Sequence, residues 1–200
     1  MMSHTKKWTG ALLLGVILAA SPMAPGAEVK EARAQQGADD SKRDLRAERA
    51  SIQRLLSAHH ELPDKIFFER ASQDARSLLF DFATDLNIFP LYRYRALEAL
   101  GLHYGDDHVL DLYSKVLATP SDFGAHHRVM MYAASFFGEQ ATALLAPMTS
   151  SKDAQLRRTA YEALLVVGSE GAMATLERAR AKEDDPLLLA RLDEVLITLR

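Results

Sequence analysis

Hydrophobic residues recur at helical spacing from residue 45 onward. An apolar stripe that runs from Leu45 through Ile52 to Leu56 has a 3.6-residue period, which predicts an amphipathic helix over residues 42–60. Pro63 follows closely. Because proline lacks a backbone N–H donor, it ends this helix and suits the first turn of the next one.

The segment Arg95–Leu100 recurs further along the chain. A shift of 33 residues places it on Arg128–Ala133, and a further shift of 31 places it on Thr159–Leu164. The same offsets align the leucines Leu112, Leu145 and Leu176, and a weaker copy with apolar Phe67, Leu79 and Phe80 precedes them. Each unit is predicted to be a helix, a turn and a second helix. One such pair cannot bury its apolar faces alone, whereas stacked pairs share a continuous core.

Turn residues recur in phase with these units. A glycine stands where each first helix should end, as at Gly105, Gly138 and Gly168. Acids follow at once and suit the start of a second helix, because its exposed amides carry partial positive charge: Asp106, Asp107, Glu139 and Glu170. Prolines are expected to break the second helices near their ends: Pro90, Pro120, Pro147 and Pro186.

The composition supports a helical protein and narrows its chemistry. The chain has 31 Ala and 30 Leu against 8 Val and 5 Ile, and the first two are strong helix formers. A net charge of −3 argues against a dedicated nucleic-acid binder. The absence of cysteine excludes disulfides, thiolate metal sites and a cysteine nucleophile.

The N-terminal segment has the pattern of an export signal. Lys6 and Lys7 precede an apolar run over residues 11–20, and small residues follow up to Ala27. The run is too short to span a bilayer. We predict a signal peptide over residues 1–27 and a flexible linker over residues 28–41, hence a periplasmic or secreted protein without stable membrane insertion after cleavage. An uncleaved membrane tether is the alternative.

The repeat units resemble a known family. The stretch from Asp153 to Leu164, followed by Gly168-Ser169-Glu170 and Leu176, is similar to a HEAT repeat, in particular to the short bacterial type named after phycobilisome lyases. The segment Arg95–Gly101 with Asp106 and Leu112 is a second match, and the stretch from His127 to Leu145 is a degenerate third.

The resemblance covers residues 62–200 and implies an α-solenoid that binds proteins; it implies no reaction. The lyase members act on bilins, but no residue pattern here transfers that activity. We therefore predict an all-α domain over residues 42–200. It would be a short right-handed α-solenoid of HEAT-like helix pairs with a C-terminal capping helix.

The histidines and acids form no recognisable reactive site. His103 and His108 flank Asp106 and Asp107, which are ligand types that suit zinc, but their spacing fits a capped turn better. Adjacent histidines point about 100° apart on a helix, so His59-His60 and His126-His127 are not ready chelates. No phosphate loop, G-x-S-x-G or H-E-x-x-H motif is present. We expect no catalytic residues, no metal and no cofactor.

Basic residues recur near the start of each first helix. They are Arg93, Arg95, His127, Arg128, Arg157, Arg158 and Arg191. We expect their stems to cover apolar surface and their charges to pair with acids of neighbouring units. A groove for an acidic partner is the alternative.

Two aromatic residues between units are the candidate binding residues. Phe89 and Phe123 lie beside prolines and about one repeat apart, so they should share one edge. Either these rings fold back over the ends of the core, or they form an exposed apolar surface that marks a partner site. In the second case the predicted partner-binding residues are Phe89, Tyr92, Phe123, His126, His127 and Arg128.

These observations lead to three functional hypotheses. The first is an exported, non-enzymatic scaffold or adaptor that binds a protein or peptide and no nucleic acid. The second is an envelope assembly factor or chaperone, which needs an accessible apolar groove. The third is a HEAT-like enzyme related to lyases or glycosylases, which a pocket of convergent acids and histidines would favour. Should Phe89 and Phe123 not bind, the second helices around Asp107, Asp111 and Lys115 are the next candidate surface.

Overall fold

The described part of the protein is entirely helical. The structure, a computed structural model, describes residues 44–58, 61–119 and 122–198, and no strand occurs in these ranges. The helices are α1 (Leu45–Leu56), α2 (Lys65–Ala71), α3 (Ala75–Thr84), α4 (Pro90–Tyr104), α5 (Asp107–Ala118), α6 (Phe123–Phe137), α7 (Ala141–Leu145), α8 (Ala154–Val167), α9 (Glu170–Arg180) and α10 (Pro186–Thr198). Short 3₁₀ segments flank α7, at Gly138–Gln140 and Ala146–Ser150. The prediction of an all-α protein is therefore confirmed for these residues.

Several predicted features lie outside the described residues. These are the signal peptide over residues 1–27, the linker over residues 28–41, the histidine pair His59-His60, and Pro120. The helices belong to a unit that begins at Asp44. No helix within the described ranges combines the length and the apolar character that a bilayer crossing requires.

Three of the four predicted turn acids lie at the start of a second helix, whereas Glu139 lies in a 3₁₀ segment; the three are Asp106, Asp107 and Glu170. The Asp106 carboxylate accepts the Val109 N–H at 3.1 Å at the start of α5. Asp153 and Ser169 cap α8 and α9 in the same way. Each cap satisfies a backbone donor that a helix end otherwise leaves without a partner.

Glycine allows the turns that end two of the first helices. Gly168 ends α8 with φ of 63°, and Gly138 follows α6 with φ of 52°. Both values lie in the left-handed region, which residues with a Cβ atom rarely enter.

The prolines act differently from the prediction. Pro90 and Pro186 are the first residues of α4 and α10, whereas α3 and α9 have already ended at Thr84 and Arg180. Proline suits this position because its missing N–H has no partner there in any case. Pro147 lies in the 3₁₀ segment after α7, so this second helix is a short helix between two 3₁₀ turns.

The core follows the repeat register. Leu100, Leu145, Leu164 and Leu176 are fully buried, and Leu112 is 6% exposed. The first helices pack in chain order, α4 against α6, α6 against α8, and α8 against α10. The N-terminal ends of α4 and α6 are thereby brought close together.

Candidate functional site

Phe89 and Phe123 expose their rings to solvent. Phe89 precedes α4 and is 63% exposed, whereas Phe123 begins α6 and is 42% exposed. Neither ring folds back over the core. Exposed aromatic side chains leave apolar area that a partner can cover.

A polar contact ties the starts of these two helices together. Arg93, in the first turn of α4, donates from Nη1 to Oδ2 of Asp122 at 2.8 Å, and the Tyr94 hydroxyl donates to Oδ1 at 3.0 Å. The same carboxylate accepts the Ala125 N–H at 2.9 Å and so caps α6. Burial acts to raise the pKa of Asp122, but the hydrogen bonds that it accepts outweigh burial and hold that pKa below its usual range. Asp122 therefore fixes Phe123 relative to α4.

Each exposed ring rests against a residue one turn further along its helix. The rings of Phe89 and Tyr92 meet edge to face with centroids 5.9 Å apart. The Phe123 and His127 rings lie 6.2 Å apart. Such aromatic contacts favour particular orientations of the two exposed rings.

Arg128 places a positive charge near the start of α6. His127 and Arg128 are exposed, and the Arg128 guanidinium lies 4.9 Å from the centre of the Tyr94 ring. A cation over an aromatic face is held electrostatically. We use the name aromatic ledge for two exposed groups at the starts of α4 and α6, which are Phe89 with Tyr92, and Phe123 with His127 and Arg128.

His126 is not part of this surface, which corrects the predicted set of binding residues. Its side chain is buried, and Nε2 lies 2.8 Å from the Thr119 carbonyl oxygen and 3.0 Å from that of Val116. The ring therefore donates to the end of α5 and joins two elements of the fold. Helix geometry sends His126 inward and its neighbour His127 outward.

Most of the recurring basic residues pair with acids, as expected. Arg157 donates to Glu183 from Nε at 2.9 Å and from Nη2 at 3.0 Å. Arg191 contacts both Glu162 and Glu194. Arg93 binds Asp122, so these three arginines stabilise the fold, and the exposed positive charge of the ledge comes from Arg128.

Two of the four histidine and acid residues near Gly105, His103 and Asp106, have structural partners. His103 Nε2 lies 2.9 Å from the Pro63 carbonyl oxygen, and Asp106 caps α5 and pairs with Arg76 at 2.6 Å. In the described ranges, no three His, Asp or Glu side chains converge in a way that could hold a metal ion.

A groove between α3 and α5 was only partly foreseen. It has a volume of about 490 Å³, and Arg76, Phe80, His108 and Asp111 lie along it. A second cavity of about 220 Å³ adjoins it, and Thr84, Leu112 and Lys115 line both. The sequence pointed to Asp111 and Lys115 but not to the facing α3 residues, because that repeat copy is the weakest.

The comparisons with known proteins indicate no function, so the functional argument rests on the geometry of the chain. The sequence matches no protein-family model, and a search of curated proteins finds no relative of the chain.

Proposed function

We propose that the chain is an exported, non-enzymatic α-solenoid of HEAT-like helix pairs that binds a protein or peptide partner as a scaffold or adaptor. The packing of α4, α6, α8 and α10 in chain order supports the solenoid. Burial of equivalent leucines in successive units supports it too. A stack of this kind presents a stiff, extended surface on which a partner is bound by complementarity of shape and charge.

The observation that carries the proposal is the exposure of Phe89 and Phe123 at two joined helix starts. Because both rings are largely outside the core, they contribute little to helix packing. Interface free energy commonly concentrates in a few aromatic anchors surrounded by polar residues. The Asp122 contacts hold the two anchors in fixed positions, which lowers the entropy lost on binding.

The ledge also indicates the chemistry of its partner. Two apolar rings favour a segment with aromatic or leucine side chains, and His127 and Arg128 favour an acidic residue beside them. Asp122 offers little opposing charge, because Arg93 already pairs with it. The preferred partner is therefore a peptide segment in which apolar residues are followed or preceded by Asp or Glu.

One observation favours the second hypothesis, an assembly factor or chaperone. The 220 Å³ cavity has apolar walls from Ala83, Leu86, Leu112 and Val116, which is the accessible apolar groove that this function needs. The enzyme hypothesis has less support. The larger groove brings together only His108 and Asp111 of the candidate ligand types.

A displayed library of random 12-residue peptides, selected against the full chain, tests the proposal. We expect the bound sequences to share aromatic or leucine residues next to Asp or Glu. Competition among selected peptides should show one common site, and the variant Arg128→Glu should shift the preference from acidic to basic flanks. A selected set without acidic residues, or one that Arg128→Glu leaves unchanged, contradicts binding at the ledge. Loss of binding in Lys115→Glu alone assigns the site to the groove between α3 and α5 instead.

A further inference from the structure

The face of α10 that points away from the core carries exposed apolar residues. Leu187 is 82% exposed and Ile197 is 73% exposed, and Ala190 and Glu194 between them are exposed as well. Their spacing of three, four and three residues places them on one side of the helix. Leu188, Leu192, Val195 and Leu196 occupy the opposite side and are buried. We call the first set the α10 outer face.

The repeat register shows that the middle of this face is suited to packing. A shift of 31 residues places Ala190 and Glu194 on Thr159 and Ala163 of α8, which are 4% and 0% exposed, whereas Ile197 falls on Val166, which is 49% exposed. Helix α8 packs against α10, and the same face is open in α10 itself. Exposed apolar residues on such a face leave area that another protein can cover.

The α10 outer face is complementary to itself. Leu187 and Ile197 lie five residues before and after Leu192, and Ala190 and Glu194 lie two residues before and after it. Two copies of α10 can pair antiparallel with the two-fold axis at the level of Leu192, which itself faces the core. Leu187 then meets the partner's Ile197 at each end. Ala190, which has a short side chain, meets the partner's Glu194. Two-fold interfaces have this isologous pattern.

The charged residue within the face has a counter-charge at hand. Glu194 accepts from Arg191 Nη1 at 2.9 Å, and its side chain is 68% exposed. In an antiparallel pair, Arg191 of each copy lies beside the partner's Glu194. The Glu194 carboxylate therefore keeps a counter-charge when Leu187 and Ile197 become covered. Antiparallel pairing also sets the positive end of one helix dipole near the negative end of the other.

We infer that the full chain forms a two-fold homodimer through the α10 outer face. One helix from each copy makes a small interface, so the association is weak and depends on concentration. The aromatic ledge takes no part in this contact. Dimerisation and peptide binding can therefore be tested independently of each other.

Sedimentation velocity of the full chain tests the inference. From about 1 µM to about 200 µM we expect a shift from monomer to dimer, as a small interface gives. Leu187→Glu should weaken dimerisation at least about tenfold. Its melting temperature should not change, because Leu187 is outside the core. Leu45→Glu, at a residue 57% exposed on α1, is the matched control and should dimerise normally. A monomer at every concentration, or a dimer that survives Leu187→Glu, overturns the inference.

Cysteine pairing tests the antiparallel geometry, since the chain has no cysteine of its own. When Leu187→Cys and Ile197→Cys chains are mixed and oxidised, we expect the mixed disulfide between residues 187 and 197. Ten residues of helix separate the two positions by about 15 Å, which is too far for a disulfide between equal positions in this geometry. Preferential linkage of residue 187 to the partner's residue 187 contradicts the antiparallel dimer.

Discussion

Arg93 of α4 and Asp122, the residue that precedes α6, form an ion pair with 2.8 Å between Nη1 and Oδ2. The Arg93 side chain is 9% exposed, so the pair lies largely out of solvent. The contact joins the ends of two consecutive first helices, at the point where Phe89 and Phe123 reach the surface. One ion pair therefore links the stability of the fold to the position of the ledge.

Arg93→Ala should lower the free energy of unfolding by about 1–3 kcal/mol, because it removes the counter-charge of the partly buried Asp122 carboxylate, which keeps its hydrogen bonds from Tyr94 and Ala125. Arg76→Ala is the matched control. Its pair with Asp106 has both side chains about 40% exposed, so the loss should be below about 1 kcal/mol. Urea denaturation of both variants measures the difference, and equal losses would show that burial does not distinguish the two pairs.

Leu164→Ala should cost about 2–5 kcal/mol, the usual range when a fully buried leucine leaves a cavity. Leu102→Ala is the control, because Leu102 also lies on a first helix, α4, but is 50% exposed. Thermal and urea denaturation give the two values. A loss of only a few tenths of a kcal/mol at Leu164 would mean that the repeat register is wrong.

Glu183 should make the stability of the domain depend on acid pH. Burial acts to raise the pKa of this carboxyl, but hydrogen bonds from Arg157, from the Tyr161 hydroxyl at 2.6 Å and from the backbone outweigh it and lower the pKa to about 2. The carboxyl of an unfolded chain has a pKa of about 4.3. A lowered folded pKa stabilises the protein above the unfolded value, and this stabilisation disappears as the pH falls from about 4.3 to about 2.

Glu183→Gln should therefore lower the free energy of unfolding by about 1–3 kcal/mol at pH 7, and the difference from the natural chain should shrink as the pH falls below about 4.3. Asp184→Asn removes a charge from the exposed neighbouring residue and serves as the control. Urea denaturation across this pH range is the measurement. Parallel stability curves for the natural chain and Glu183→Gln would contradict the role assigned to Glu183.

The predicted export signal implies a processed N-terminus near Glu28. Lys6, Lys7 and the apolar run over residues 11–20 should direct secretion and be removed afterwards. Edman sequencing or mass spectrometry of the protein recovered from the envelope and medium measures this. An intact Met1 or Met2 on protein from the cytosol would contradict the proposed localisation.

Periodicity was sufficient to predict the helices and much of the core. The recurrence of Leu100 and Leu164 one unit apart identified buried positions, because a repeated fold places equivalent residues in equivalent surroundings. The same register contained a signal for His126 that sequence reasoning did not use. His126 aligns with Arg93 and Arg157, and all three side chains bind the segment that joins one unit to the next.

Contacts between units were harder to predict, because they depend on distances between helices. Gly101 is an example. A Cβ atom there would lie 2.3 Å from the Tyr113 hydroxyl and 2.5 Å from the Phe136 ring, so the glycine permits a close approach. Its spacing in the sequence looks like that of any helical glycine. The groove between α3 and α5 was only partly predicted, because its α3 wall belongs to the weakest copy of the repeat.

The central claim is that Phe89 and Phe123 bind the partner, and the affinity of a selected peptide for three forms of the full chain tests it most directly. The forms are the natural chain, the double variant Phe89→Ser with Phe123→Ser, and a control double variant. The control is Ile66→Ser with Phe67→Ser, which removes two other apolar residues that are 46% and 48% exposed. Calorimetry gives the dissociation constant, and a melting curve shows whether each form is folded.

We predict that the ledge variant binds at least about tenfold more weakly than the natural chain, because each truncated anchor commonly costs about 2 kcal/mol or more. Its melting temperature should stay close to that of the natural chain, and the control variant should bind normally. A ledge variant that unfolds would show that the rings belong to the core. A folded ledge variant that binds the peptide as tightly as the natural chain would contradict the claim.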